Sequence, residues 1–210
     1  MTKRQDLESD SKKSSKYDEA VLKIYKNSVG EKELKVLLSR FSVDEYVGTW
    51  RQVLASPSTR IVGGGLNYSS VKAIYKLRED GLLSVQNSAY DGEFRKVGIT
   101  GKSRVRVESV PTCRTVNFNI LNINVSIEGD YWIFWISRSK KTVLVVAPLI
   151  LRFFNNPVVI SENFGFYLLT RDIHEFWNSP EEYKYAFEVL HKYGFKSGYK
   201  KPVATAETFK

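Results

Sequence analysis

The chain has 210 residues, 42% hydrophobic and 26% charged, a usage that excludes wholesale disorder and fibrous repeats and leaves room for one or two domains. Its 32 Lys and Arg against 23 Asp and Glu give a net charge of +9, which favours anionic partners such as nucleic acid or a lipid surface and is silent on fold. The longest apolar run, Val143 to Leu151, is interrupted by Pro148 and is less than half of what a membrane-spanning helix needs.

Residues 1–16 are Ser, Lys and acid with almost no apolar content, the composition of a disordered tail. No apolar leader stands at the start and the single Cys113 cannot close an internal disulfide, so a cytoplasmic or peripheral membrane location is expected. From Tyr17 to Arg40 the apolar residues Ala20, Val21, Ile24, Tyr25, Leu34, Leu37 and Leu38 recur at helical spacing, and Gly30 divides two short helices. Residues 1–40 are therefore read as an extension, disordered and then helical, that docks on the body or on a partner.

After Phe41 the apolar period changes to two, the mark of strands with one buried face. Eight runs are expected as strands: 46–54, 71–77, 82–89, 95–108, 115–120, 130–137, 142–147 and 164–171. Asp80-Gly81 and Asp91-Gly92 are hairpin turns, because a tight turn needs positive φ. Residues 148–163 read as an apolar loop before the last strand. Eight consecutive strands joined by hairpins satisfy their open edges by closing into an all-β, up-and-down antiparallel barrel. One helix follows, with Ser179 as N-cap, Pro180 in the first position, Glu182 completing a capping box and Gly194 at the end. Its stripe Tyr183, Ala186, Phe187 and Leu190 has the barrel wall to pack on. The body spans 41–200, and 201–210 reads as a loose tail.

Several segments resemble the lipocalin family. Phe41-Ser-Val-Asp-Glu-Tyr-Val-Gly48-Thr49-Trp50 is similar to its first strand and Gly-x-Trp signature, Ala73 to Gly81 to its second strand and hairpin, Gly129-Asp130-Tyr131-Trp132-Ile133 to its sixth strand, and Leu168-Leu169-Thr170-Arg171 to its last. The resemblance runs over about 41–200 and is to the branch that holds the bacterial outer-membrane lipocalin, the plant temperature-induced lipocalin and apolipoprotein D. It implies a structural signature of Gly48, Trp50 and Arg171, with the indole plugging the narrow end and the guanidinium across its face, a contact worth about 0.5–2 kcal/mol. It also implies a carrier of a small hydrophobic ligand. The Asn-rich stretch after Ile120 and the first forty residues depart from the family pattern.

With Trp50 inward, strand alternation assigns a lining: Gln52, Leu54, Val71, Ala73, Val85, Asn87, Ile99, Val116, Phe118, Tyr131, Ile133, Val146 and Tyr167, with Trp135 and Leu144 on the same face. That wall is apolar with a few hydroxyls and amides and no charge, suited to a fatty acid or other single-chain lipid. At the mouth, Leu151, Phe153 and Phe154, with Arg152 among them, could dock on a membrane or fold inward as a lid. The alternatives are a scaffold with a filled barrel, and a nucleic-acid-binding basic barrel using Lys102, Arg104 and Arg106, which the strand count disfavours. No catalytic, metal or cofactor constellation is visible: His174 and His191 fall around the last helix, and Cys113 sits beside the Pro111 turn at the closed end. Gly63-Gly64-Gly65 lacks the Lys-Ser/Thr of a phosphate loop.

Overall fold

The computed structural model describes residues 15–62, 68–120, 125–153 and 156–206; the Gly63-Gly64-Gly65 stretch, Phe154 and most of the expected disordered tail lie outside them. Two helices come first, α1 (Lys16–Val29) and α2 (Glu31–Arg40). Ser15 caps α1 by accepting the Asp18 N–H at 3.1 Å, and Asp18 and Glu19 place negative charge on its first turn. Gly30, at φ +90°, breaks the helix where its sequence position predicts.

A short helix α3 (Val43–Tyr46) leads into β1 (Gly48–Ala55), and α4 (Pro57–Val62) separates it from β2 (Ser69–Leu77). A meander follows: β3 (Leu83–Tyr90), β4 (Lys96–Val105), β5 (Cys113–Ile120), β6 (Val125–Ile136), β7 (Thr142–Phe153) and β8 (Asn156–Thr170). Every neighbouring pair is antiparallel, and β1 pairs with both β2 and β8. The eight strands therefore close into a barrel. After it come α5 (Ile173–Asn178), α6 (Pro180–Lys192), a 3-10 turn (Gly198–Lys200) and β9 (Val203–Ala204). Ser179 caps α6 by accepting the Glu182 N–H.

Besides the short helices α4 and α5, which the sequence reading lacks, two segments differ from it. Residues expected as the loop 148–163 extend β7 and β8 into a long hairpin, paired through two register shifts as far as Phe153 opposite Asn156; the β-branched and aromatic run supports strand over loop. The tail expected to be loose instead adds β9 to the outer half of β1, pairing Leu54 with Ala204 and Ala55 with Val203. The Thr205 N–H donates to the Val53 carbonyl and the Ser70 N–H to the Ala206 carbonyl, so this strand fills the gap where β1 and β2 part near the open end.

The outer wall of β6 is aromatic because helices cover it. The Tyr25 ring of α1 meets Trp132 and Phe134 edge-on at 5.5 and 6.0 Å, Tyr193 meets Phe134 at 4.9 Å, and Tyr185 of α6 meets Trp135 at 5.7 Å. The Tyr25 hydroxyl lies 2.7 Å from Thr112 Oγ1 and 2.8 Å from the Ile133 carbonyl, all buried. Below it, Arg106 is held between two carboxylates, Asp18 of α1 at 2.6 Å and Asp130 of β6 at 2.7 Å. The helical extension thus docks on the barrel through a buried ion network as well as through rings.

Candidate functional site: the barrel interior

The closed end is built around Trp50. Its Nε1 donates to the Tyr46 carbonyl at 2.8 Å, and the Arg171 guanidinium lies 3.7 Å from the ring centroid. Arg171 also donates to the carbonyls of Thr49 and Val47 at 2.9 Å and of Tyr46 at 3.2 Å, and to that of Glu45, tying the N-terminal turn across the floor. Gly48 has φ +104°, and a Cβ there would stand 3.1 Å from Arg171 Nη1. These contacts give the three signature residues a role in shape.

Directly paired residues of an antiparallel ladder share a face, so register carries the inner wall round from Trp50. Trp50 pairs with Ala73, Ala73 with Asn87, and Asn87 with Ile99. Tyr75, Val85, Gly101 and Phe118 form the next row. Ser103, Val116 and Gly129 follow, then Arg114 with Tyr131, and Ile133 with Val145 and Tyr167. Val71 falls in the irregularity between Ser69 and Lys72. Gln52 pairs with Leu169, and its amide donates to Thr205 Oγ1 at 2.7 Å, so the tail engages it. A Cβ at Gly101 would lie 2.7 Å from Phe118 Cδ1, which places that ring across the glycine.

Leu54 and Val146 leave the expected lining. β-bulges between Gln52 and Leu54 and between Ile133 and Trp135 each insert one residue, and one residue reverses every later side chain. Leu54 is opposite Leu168, which is opposite Leu144, which is opposite Trp135, whose ring meets α6 outside. Val146 pairs with Trp132 and Phe166, whose rings meet Tyr25 and Phe195. Val145 and Val143 take the inner places.

The interior is also charged, contrary to expectation. Arg114, 2% exposed, donates through Nε to Ser103 Oγ at 3.0 Å and through its two Nη atoms to the carbonyls of Pro111 and Ser103 at 3.3 Å. Around it stand Tyr46, Tyr75 and Tyr131, with 2.6 Å between the hydroxyls of Tyr46 and Tyr131 and of Tyr75 and Tyr131. Burial pushes all three phenols above their ordinary range, so they are neutral. Burial also draws the Arg114 guanidinium down, an effect the tyrosine oxygens oppose. The expected fifth strand began at Thr115, one residue past this arginine. Continuing the Phe118, Val116 alternation back one more step finds it.

Nearer the open end, α4 sits over the inner face of β8. A Cβ on Gly165 would meet Thr59 Cγ2 at 2.4 Å, and Ser58 Oγ donates to the Phe164 carbonyl at 2.7 Å. Tyr167, beside it, is pushed up to about 12 by burial. On the opposite wall the inward residues Val71, Val97, Ile99 and Phe118 remain partly accessible, and Asn87 Oδ1 is buried without a hydrogen-bond partner.

Of the expected basic strip, Arg106 is buried under α1 and Arg104 faces Asp18 and Glu128 at 3.4 Å; Lys102 is exposed. His174 and His191 are exposed. Cys113 is fully buried and its thiol is pushed up to about 12 by burial, which removes the thiolate a nucleophile would need. At the hairpin tip Leu151 and Phe153 are 54% and 64% exposed, while Arg152 is turned the other way, 4.9 Å from the Tyr17 ring of α1.

A family model described as a lipocalin-like domain matches residues 41–154, more than half of the chain, and the chain belongs to the lipocalin family. Among solved structures it is similar to lobster apocrustacyanin A1, at 11% identity over 85% of this chain and 86% of that one, with a TM-score of 0.56. It is also similar to apocrustacyanin C2, at 12% identity over 86% and 87% with a TM-score of 0.57. A third likeness is to H1 crustacyanin of the lobster Homarus americanus, at 11% over 77% and 76% with a TM-score of 0.52. At these identities the likeness is one of fold. No curated protein matches the sequence.

Proposed function

We propose that the chain holds a small hydrophobic ligand, a fatty acid or other single-chain lipid, in its barrel, and acts as a binder rather than a catalyst. The observation that carries this reading is the exposure pattern of β4, where outward Gly98, Thr100 and Lys102 are exposed and inward Val97 and Ile99 are half-buried rather than buried. In a barrel filled by its own side chains, apolar inward residues would be sealed. Family membership supports the same reading. Asn87 Oδ1 offers one acceptor to a ligand donor. The test fills the space: Ile99→Trp is expected to keep the fold by circular dichroism and to lose displacement of a fluorescent fatty-acid probe. Undiminished binding by the folded variant would overturn the reading.

The exposed Leu151, Phe153, Val158 and Ile160 of the β7–β8 hairpin support a second element of it, contact with a membrane surface at the open end. Phe94, in the β3–β4 turn at the same end, is 67% exposed and adds a further apolar point. The basic residues beside these points are Arg95 and Lys96 rather than Arg152.

A further inference from the structure

Two arginines are buried among the described residues, and the fold treats them differently. Arg106, outside the wall, is neutralised by Asp18 and Asp130. Arg114, inside it, has no carboxylate within 4.0 Å among the described residues and rests on one hydroxyl and two backbone carbonyls. A buried cation without a counter-charge is costly, and those neutral contacts use three of the five N–H groups of a guanidinium.

The hydroxyls of Tyr46, Tyr131 and Tyr75 beside it hydrogen-bond to one another, a closed ring of O–H groups that can rotate toward an entering acceptor. The cation, its two spare N–H groups and this ring occupy the same end of the lumen, below the accessible apolar wall of β2 to β5.

We propose that Arg114, with the hydroxyls of Tyr131, Tyr75 and Tyr46, is a headgroup site for an anionic single-chain lipid, a carboxylate in the first instance, which enters head-first and leaves its chain against Ala73, Ile99 and Phe118. This rests on the reading that the barrel holds a hydrophobic ligand. It adds to that reading a direction of entry and a choice of acid over neutral lipid. A planar guanidinium accepts a carboxylate through two parallel bonds, and the charge-assisted contact exceeds what a neutral hydroxyl headgroup obtains.

The experiment uses the full chain with neutral phenylnaphthylamine as reporter, and palmitate, cetyl alcohol and an alkyl phosphate of equal chain length as competitors. Palmitate is expected to displace the reporter about tenfold more effectively than the alcohol, and Arg114→Met to bring the two within about twofold while the alcohol competes as before. Arg114→Lys is expected to keep part of the difference. Acidification that protonates palmitate should remove the preference in the unmodified protein, a readout that does not depend on how the variants fold. Equal competition by acid and alcohol in the unmodified chain, or a difference that survives Arg114→Met, would overturn the headgroup site and leave the ligand reading intact. A preference for the alkyl phosphate over palmitate would overturn the carboxylate assignment. No uptake of reporter or competitor would sink both readings together.

Discussion

At the scale of single residues, the interior is governed by what burial does to charge. Cys113 is an example: its thiol is pushed up to about 12 because the site is desolvated, whereas in an unfolded chain it titrates near 8.5. A raised acid means stability that is whole below the unfolded value and is lost as pH rises toward the folded one, because only the unfolded state releases the proton. Urea midpoints are therefore expected to fall between pH ~8 and ~10 more steeply in the native chain than in Cys113→Ala. Native Cys113 should also resist a thiol reagent that labels the unfolded chain at once. Parallel slopes would show that the thiol is not the titrating group. The same burial makes Arg114 the residue that the sequence hid. Inward alternation was legible at Ala73, Ile99, Val116 and Phe118, but a lone arginine at a strand start reads as surface, since nothing local tells which charges a distant tyrosine cluster will surround.

At the scale of elements, the helices and most strands were legible because their signals are local: the Gly30 break, the Ser179 cap and the Asp80-Gly81 turn all act within a few residues. Bulges were not, since the extra residue in β1 or β6 matters only through a partner strand, and that is why Leu54 and Val146 were put on the wrong face. The run Tyr131 to Ile136 is apolar at every position, so periodicity could not say that one face meets the lumen and the other a helix. The N-terminal helix supplies that second cover, and Tyr25 is its anchor. Tyr25→Phe keeps the ring against Trp132 and Phe134 and removes the hydroxyl, leaving the Ile133 carbonyl and Thr112 Oγ1 short of a partner. We expect a loss of about 1–3 kcal/mol in urea unfolding. A change below about 0.5 kcal/mol would mean that α1 docks through its rings alone.

At the scale of the whole molecule, closure was legible from eight strands in a row, and the two additions to it were not. The hairpin of β7 and β8, with Leu151 opposite Val158, is braced by α1 through Arg152 against Tyr17 and through Ser28, which donates to Glu162 at 2.8 Å. The N-terminal extension and the exposed apolar tip are thus one mechanical unit. If the tip meets a bilayer, flotation with anionic vesicles should be lost in the pair Leu151→Asp and Phe153→Asp and weakened by salt through the basic residues nearby. Unchanged flotation of the pair would remove the tip from membrane contact.

The last addition is β9, wedged beside the rim between β1 and β2. Because that part of the wall is supplied by residues some 150 positions away from β1, held by its short ladder to β1, the Thr205–Val53 and Ser70–Ala206 backbone hydrogen bonds and the Gln52–Thr205 contact rather than by a turn, it is a zipper and not a hinge. A protease that trims the chain before Val203 would cut a lateral slot in the cup, and cargo would then leak sideways without ever crossing the lip.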